Sequence, residues 1–259
     1  MHNAAYRAIG LEHSWVYGAS QVPSERLPEA ISGIRGLGIR GVSVTMPHKE
    51  AVIPFLDILD KDAQELGAVN TIVNEGGVLT GYNTDWFGLA TPLEAALEKI
   101  RTDIDRRIEP PTALILGAGG AARAAAFALR SKAIPFTVSA RTIDRAAVIA
   151  GQFGGSTLSW DQRQTCDATI IINTTPLGMA GGTELSPLPA FCWQSGHIAF
   201  ETVSVPRETP FLADARSANV VLIPGIDMLL WQGVRQFELF TGFPAPVETM
   251  ADALKEHPA

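Results

Sequence analysis

The chain has 259 residues, of which 46% are hydrophobic and 18% are charged, so it is long and apolar enough for one large domain or two modest ones. A formal net charge of −7 argues against nucleic acid or an anionic membrane as the main partner, but not against a small anionic substrate. No apolar run has the length of a membrane span, and no basic stretch followed by an apolar one marks a signal peptide. We therefore expect a soluble cytoplasmic protein.

The first hundred residues predict mixed helices and strands. A helix followed by a short strand is expected over residues 1–17, and "LPEAISGIRGLG" predicts a second helix that glycine closes. "IRGVSVT" predicts a strand, and "KEAVIPFLDILD" a helix with proline near its first turn. "NTIVNEGGVLTGYNT" is typical of a hairpin around Glu75-Gly76-Gly77, and "DWFGLATPLEAALEKI" predicts a helix.

The second half has a different pattern, which begins after a charged, proline-ended stretch, "RTDIDRRIEPP", that predicts a linker. Short apolar runs then alternate with helical stretches: "TALILGAGG", "PFTVSAR", "ATIIINTTP", "HIAFETV" and "NVVLIPG". Runs of this kind fit strands buried on both faces, joined by helices into a parallel sheet. The tail, "DMLLWQGVRQFELFTG", predicts a long amphipathic helix. The sequence thus predicts an α/β protein in two parts.

A glycine-rich turn follows the first strand of the second part. Gly117, Gly119 and Ala122 match the G-x-G-x-x-G/A fingerprint, with a strand before them and a helix after them. The first glycine permits the turn, the second lets a pyrophosphate approach the backbone, and the small third residue packs helix on strand. The N–H groups at the helix start are suited to phosphate. The turn predicts a nucleotide site; the alternative is a purely structural turn.

The end of the next strand indicates which nucleotide is bound. An NAD enzyme places an acid there, about 20 residues after the fingerprint, to bind the ribose hydroxyl. This sequence has Arg141, Thr142 and Arg145 in that region instead. Two arginines and a threonine suit the 2′-phosphate of NADP. The alternative is that both arginines are solvated residues of a helix start.

Polar residues of the first half are the candidates for handling the proton that accompanies hydride transfer. They lie where predicted elements end: Thr45, His48, Lys49, Asn70, Asn83, Thr84 and Asp85. Taken singly, Asp85 also fits a helix N-cap, and Lys49 an exposed helix residue. The five histidines are scattered, so no metal site is predicted. Cys166 and Cys192 form no CxxC pair, and we expect buried, unpaired thiols.

Taken together, the motifs resemble those of the shikimate dehydrogenase family, from residue 1 to about residue 247. The resemblance is carried by "GVSVTMPHK", "GAVNT", "GYNTDWFG", "GAGGAARA", "ARTIDRA", "INTTPLGM", "PRETPFL" and "MLLWQGVRQFELFTG", in the family's order and spacing. It implies a substrate-binding domain over 1–102, a linker over 103–111, a Rossmann-type NADP-binding domain over 112–224, and C-terminal helices over 225–259 that pack back on the substrate domain.

The resemblance also implies an activity and its residues. The family reduces 3-dehydroshikimate to shikimate with NADPH, in the pathway to the aromatic amino acids, as a monomer or homodimer. Lys49 and Asp85 would be the catalytic pair, and a cyclic hydroxy-acid substrate would be held by Thr45, Asn70, Asn83 and Gln232. The cofactor would be bound by Gly117, Gly119, Gly120, Ala121, Arg141, Thr142, Arg145, Thr174, Met179, Gly225 and Met228.

Two departures from the family pattern affect the expected substrate. The Ser-x-Ser turn that binds the substrate carboxylate in the family is absent from this sequence, so either the start is truncated or the carboxylate is held differently. Ser204 stands where the family commonly has a tyrosine. Several motifs, among them "SVTMP" and "QFELFTG", look closer to the shikimate dehydrogenase-like branch, which implies either weak shikimate activity or a preference for another cyclic polyol acid such as quinate. Alternatives are therefore a dehydrogenase for quinate or an aminated analogue, and a non-catalytic NADP-binding regulatory module.

Overall fold

The computed structural model describes residues 1–102, 110–218 and 220–256. The predicted linker over 103–111 falls largely outside these ranges. The chain forms two compact units: Met1–Asp85 together with the chain from Gln232 onward, and Trp86–Trp231. The predicted domain limits at 102 and 225 stay a prediction about functional domains. Among the described helices, none has both the length and the apolar composition needed to cross a bilayer.

The first unit is built on a four-stranded sheet. Its elements up to residue 82 are α1 (His2–Ala8), α2 (Leu27–Gly36), β1 (Gly41–Ser43), α3 (His48–Ala51), β2 (Ile58–Leu59), α4 (Lys61–Leu66), β3 (Thr71–Glu75) and β4 (Val78–Tyr82). The strand order is β1-β3-β4-β2, with β1 and β4 antiparallel to β3 and β2 parallel to β4. The predicted hairpin is confirmed, and Gly76 and Gly77 take the positive φ angles (61° and 93°) that its turn requires.

The second unit contains a parallel sheet of six strands. Its elements are α5 (Asp85–Thr102), β5 (Ala113–Leu116), α6 (Gly120–Ser131), β6 (Phe136–Ala140), α7 (Ile143–Phe153), β7 (Ser156–Ser159), β8 (Ile170–Asn173), β9 (Ile198–Glu201), α8 (Pro210–Arg216), β10 (Val221–Ile223) and the start of α9 (Gly225–Thr241). The strand order is β10-β9-β8-β5-β6-β7, and every pairing is parallel. Strands β5, β8 and β9 are buried along their whole length, as their continuous apolar runs predicted.

Helices α9 and α10 (Val247–Glu256) complete the first unit from Gln232 onward. The ring of Phe237 lies 5.4 Å from that of Tyr6 in α1. Phe240 lies directly over Gly41 in β1, where a Cβ would collide with its ring. The glycine in this strand therefore admits an aromatic side chain of α9 against the sheet.

Three local predictions are wrong. Residues 15–17 form no strand; the Tyr17 N–H donates instead to the Asn3 side chain. "KEAVIPFLDILD" is not one helix, because α3 ends at Ala51, a short 3₁₀ turn follows, and β2 then pairs with β4. Cys192 is exposed rather than buried. Cys166 is partly buried, and burial raises the pKa of its thiol.

Candidate active site

A lysine and a carboxylate meet in the first unit. Lys49 lies in the short helix α3, and Asp85 is the first residue of α5. The Lys49 Nζ donates to Asp85 Oδ2 over 2.6 Å. The side chains are 27% and 12% exposed, so solvent reaches the amine more than the carboxylate. A charge-assisted bond of this length joins an ammonium donor to a carboxylate acceptor in a partly shielded place.

The second oxygen of Asp85 is bound by an amide. Asn70 Nδ2 donates to Asp85 Oδ1 over 2.9 Å and to Thr84 Oγ1 over 3.0 Å. Asn70 Oδ1 accepts from the Thr84 backbone N–H over 2.7 Å and from the Thr71 hydroxyl over 2.8 Å. Because a backbone N–H can only donate, these bonds identify which end of the Asn70 amide faces Asp85. Asp85 therefore accepts one hydrogen bond on each carboxylate oxygen.

Asn83 holds the start of the helix that carries the carboxylate. Its Oδ1 accepts from the Asp85 backbone N–H over 3.0 Å, and its Nδ2 donates to the Ala68 carbonyl over 3.0 Å. An asparagine that bonds the backbone two residues on is a common way to begin a helix. Both ends of the Asn83 amide are engaged with the backbone, and the residue is 7% exposed.

The other predicted residues of the first unit differ in their surroundings. Thr45 is exposed just beyond β1. His48 is tied to an earlier loop, because its Nε2 lies 2.8 Å from the Val22 carbonyl. Gln232 lies on α9 and is partly buried. The structure thus brings Lys49, Asp85, Asn70 and Asn83 into one hydrogen-bonded group.

The sequence did not identify Gln236 as part of this group. Gln236 is 3% exposed on α9. Its Nε2 donates to Thr71 Oγ1 over 3.0 Å and to the Asn70 carbonyl over 3.2 Å, and its Oε1 accepts from Ser43 Oγ over 2.9 Å. A sequence signal existed: Gln236 follows Gln232 by four residues, so both lie on one side of an amphipathic helix.

The glycine turn of the second unit leaves space for a ligand beside a helix start. Gly117, at the end of β5, has φ +116°, and a Cβ there would collide with Thr174. Gly119 and Gly120 have nothing within 4 Å of an added Cβ. Helix α6 begins at Gly120 without a side-chain cap, so its first N–H groups are not bonded by a capping side chain. Ala122 is fully buried, as close packing of helix on strand requires. This turn fits a pyrophosphate.

A cationic edge follows β6. Arg141, Thr142 and Arg145 are all exposed, and Thr142 is the N-cap of α7 without a capping side-chain bond. Neither arginine takes part in the ion pairs found among the residues that the structure describes. Two unpaired guanidinium groups beside a free hydroxyl fit a phosphate monoester.

The remaining predicted cofactor residues also lie in the second unit. Thr174 Oγ1 donates to the Leu116 carbonyl over 2.7 Å, which ties the loop after β8 to β5. Met179 is 44% exposed, and Met228 is partly buried. Gly225 lies against the Val203 carbonyl, where a Cβ would collide with the backbone.

A buried acid, Glu201, supports the loop after β8, and the sequence did not identify it as part of the site. It ends β9 with no exposed surface, and it accepts from Asn173 Nδ2 (2.9 Å), the Val203 N–H (2.9 Å) and the Thr209 hydroxyl (2.8 Å). Burial raises the pKa of Glu201, and these donors act in the opposite direction. The signal was an acid ending the apolar run "HIAFETV". Across the described ranges, no three His, Cys, Asp or Glu side chains converge as a metal site would need.

The second unit defines a class of protein. Counted along the chain from β5, its strands lie in the order 3-2-1-4-5-6, and the glycine turn follows strand 1. This is the order of the Rossmann fold, which binds dinucleotides at the carboxyl ends of its strands. The chain is therefore a Rossmann-type dinucleotide-binding protein with a second α/β unit that carries a lysine–carboxylate pair.

Comparisons with known proteins identify the family. A family model described as the shikimate dehydrogenase substrate binding domain matches residues 1–72, and one described as the shikimate 5′-dehydrogenase C-terminal domain matches residues 225–255. A shikimate dehydrogenase (NADP(+)) of Moorella thermoacetica is 43% identical over 99% of this chain and 87% of its own length. This chain belongs to the shikimate dehydrogenase family.

Solved structures agree with this. A shikimate dehydrogenase in complex with NADP⁺ has a TM-score of 0.87 and 36% identity, and the match covers 100% of this chain and 90% of that one. The enzyme of Thermus thermophilus in complex with NADP(H) and shikimate has a TM-score of 0.84 and 34% identity, over 98% and 92% of the two chains. The predicted family and fold are confirmed, and the closer kinship to the dehydrogenase-like branch stays a prediction.

Proposed function

We propose that this protein is an NADP-dependent oxidoreductase that interconverts 3-dehydroshikimate and shikimate. The observation that carries the proposal is the 2.6 Å bond between Lys49 Nζ and Asp85 Oδ2, together with the Asn70 amide on the other carboxylate oxygen. A binding module needs no such pair, because a partly shielded ammonium–carboxylate contact is costly to maintain. Relatives named as shikimate dehydrogenases (NADP(+)) support the substrate and the cofactor.

The proposed chemistry is reduction of a ring ketone. When bound, NADPH would supply a hydride from its nicotinamide C–H bond to the carbonyl carbon and would leave as NADP⁺. As the C=O π electrons move onto oxygen, Lys49 Nζ donates its proton there and the O–H bond forms. Asp85 stabilises the ammonium before transfer, and solvent returns a proton to the 27% exposed lysine side chain. In the reverse direction Lys49 accepts the hydroxyl proton. A positioned proton donor typically contributes about 10²–10⁴ in rate.

Four residues are proposed to contact the substrate ring, and they differ in their exposure to solvent. Thr45 is exposed and Gln232 is partly buried, so both are proposed to bond ring hydroxyls directly. Asn70 and Asn83 already use their amides within the protein. A ring hydroxyl therefore contacts either one only by replacing or sharing a present bond. The main part of Asn70 and Asn83 in this proposal is to hold Asp85.

The proposed cofactor site lies in the second unit. Gly117, Gly119, Gly120 and Ala121 would bind the pyrophosphate through the start of α6. Arg141, Thr142 and Arg145 would bind the 2′-phosphate, which distinguishes NADP from NAD. The nicotinamide end would be bound by Thr174, Met179, Gly225 and Met228.

The test is NADP⁺ reduction by shikimate and, separately, by quinate, followed by NADPH absorbance. We expect turnover with shikimate, a fall in kcat of about 10²–10⁴ in Lys49→Met, and unchanged NADPH affinity in that variant. Lys61→Met removes an exposed lysine of the same unit and should have wild-type kcat. Tight NADPH binding without turnover of either acid would indicate a non-catalytic module. Turnover of quinate alone would show that the substrate is quinate and not shikimate.

A further inference from the structure

A continuous hydrogen-bond chain runs from helix α9 to the carboxylate Asp85. It starts at Gln236, passes through Thr71 and Asn70, and ends on Asp85 Oδ1, with lengths of 3.0, 2.8 and 2.9 Å. Gln236, Thr71 and Asn70 are 3%, 0% and 2% exposed. Water is therefore excluded from the links between them, and the direction of each bond is decided by the protein groups alone.

The direction of every bond in the chain is determined by its neighbours. Gln236 Nε2 faces the Asn70 carbonyl, which can only accept, so the amide nitrogen and not the oxygen is turned toward Thr71. The Thr71 hydroxyl oxygen then accepts from Gln236, which leaves its proton for Asn70 Oδ1. With Oδ1 occupied by two donors, Asn70 Nδ2 faces Asp85 and donates.

We propose that Gln236 is a positioning residue for the Lys49–Asp85 pair. It orients the Thr71 hydroxyl toward Asn70 Oδ1 and so, together with the Thr84 N–H, holds the Asn70 amide in the orientation that donates to Asp85. Gln236 also accepts a hydrogen bond at its other end, from Ser43 Oγ to Oε1 over 2.9 Å, which anchors α9 to β1 but does not determine the direction of the chain. The bonds of Nε2 thus have an orienting role, and the bond of Oε1 has an anchoring role.

The substitution Gln236→Glu tests the direction with little change of size. A carboxylate accepts but does not donate, so the Thr71 hydroxyl would turn toward it and away from Asn70. The kinetic expectation rests on the proposed function. We expect kcat for shikimate oxidation to fall about tenfold, which is the loss typical of one weakened bond to a charged group. The KM for NADP⁺ should stay at the wild-type value, because its binding residues lie in the other unit.

Two further variants distinguish orientation from anchoring. Thr71→Val removes the hydroxyl at constant shape, and Gln236→Glu should have no additional effect on kcat in that background, because no hydroxyl is left to turn. Ser43→Ala should lower Tm while kcat stays within about twofold of wild type. If Gln236 only anchors α9, kcat and Tm will fall together in Ser43→Ala and Gln236→Glu, and the Thr71→Val and Gln236→Glu effects will add. Either result would overturn the proposal.

A measurement without turnover keeps this inference separate from the proposed function. Hydrogen exchange of the Asn70 side-chain amide, followed by NMR on the full chain, should be slow in the wild type because both protons are bonded. We expect exchange about tenfold faster in Gln236→Glu and unchanged in Ser43→Ala. Exchange at the wild-type rate in Gln236→Glu refutes the orienting role. If the wild-type protein does not turn over shikimate, the proposed function is refuted, whereas the orienting role of Gln236 is not.

Discussion

Replacing Asp85 by asparagine should damage both the lysine–carboxylate pair and its support. The new amide must present its oxygen to Asn70 Nδ2, which lies 2.9 Å away and donates. Its NH₂ group then faces the Lys49 ammonium, 2.6 Å from the position of Oδ2. Two donors cannot bond each other, so Lys49 loses both its counter-charge and its hydrogen-bond acceptor.

The exposure of the pair sets the size of the effects. Breaking a fully buried ion pair costs about 3–5 kcal/mol, and an exposed pair contributes about 0–1 kcal/mol. With side chains 27% and 12% exposed, we expect Asp85→Asn to lower the free energy of unfolding by about 1–3 kcal/mol. The loss in kcat should be about 10²–10⁴, or about 3–5 kcal/mol of barrier at about 1.4 kcal/mol per factor of ten. The kinetic loss should therefore exceed the loss of stability.

The assay combines kcat for NADP⁺ reduction by shikimate with urea unfolding of the same preparations. Asp60→Asn is the matched control: Asp60 caps α4 by accepting from the Asp62 N–H, and asparagine caps equally well. That variant should have wild-type kcat and nearly wild-type stability. A folded Asp85→Asn variant whose kcat is within tenfold of wild type would refute the role given to the pair.

Three further outcomes follow from charge, burial and backbone contact. Burial lowers the pKa of His2 to about 4. The contribution of neutral His2 to the free energy of unfolding is therefore fully present above pH ~6.5, and it falls by roughly 3 kcal/mol as the pH drops toward 4. His2→Phe should flatten this acid limb in urea titrations, while His13→Phe, at a side chain 92% exposed, should not. Arg141→Ala should raise the KM for NADP⁺ about 10–100-fold and leave the KM for NAD⁺ unchanged, since a bond to a charged group contributes about 1.5–3 kcal/mol. Equal effects on the KM values of both cofactors would refute the proposed contact between Arg141 and the 2′-phosphate. Gly225→Ala forces a methyl group into the Val203 carbonyl and should lower stability by about 1–3 kcal/mol, and a wild-type Tm would contradict that contact.

Local patterns predicted those parts of the fold that local physics determines. The hairpin was predicted because two β-rich runs flank Gly76 and Gly77, whose backbone angles favour glycine. The buried strands β5, β8 and β9 were predicted from continuous apolar runs. By contrast, β2 is only two residues long and exists through pairing with β4. Its sequence, read alone, favoured a helix.

The sequence named Lys49, Asp85, Asn70 and Asn83 as candidates, but it did not indicate the buried polar residues Gln236 and Glu201. Lys49 and Asp85 stand beside turns and were candidates from the start. Gln236 bonds residues 165 and 166 positions away, and no local pattern indicates such a partner. Glu201 likewise depends on Asn173 and Thr209. Polar residues inside apolar segments were the available signal, but their partners are determined only by the fold.

In the proposed roles, exposed Thr45 contacts the substrate and buried Asn70 supports the acid–base pair, so substrate preference and acid–base chemistry could evolve separately. A mutation at Thr45 leaves in place both hydrogen bonds that Asp85 accepts from Lys49 and Asn70. A mutation at Asn70 disturbs four hydrogen bonds to three residues at once, because its amide is bonded on both sides. Selection for a new cyclic acid would therefore be expected to act on the exposed positions, with the proton-handling group inherited unchanged.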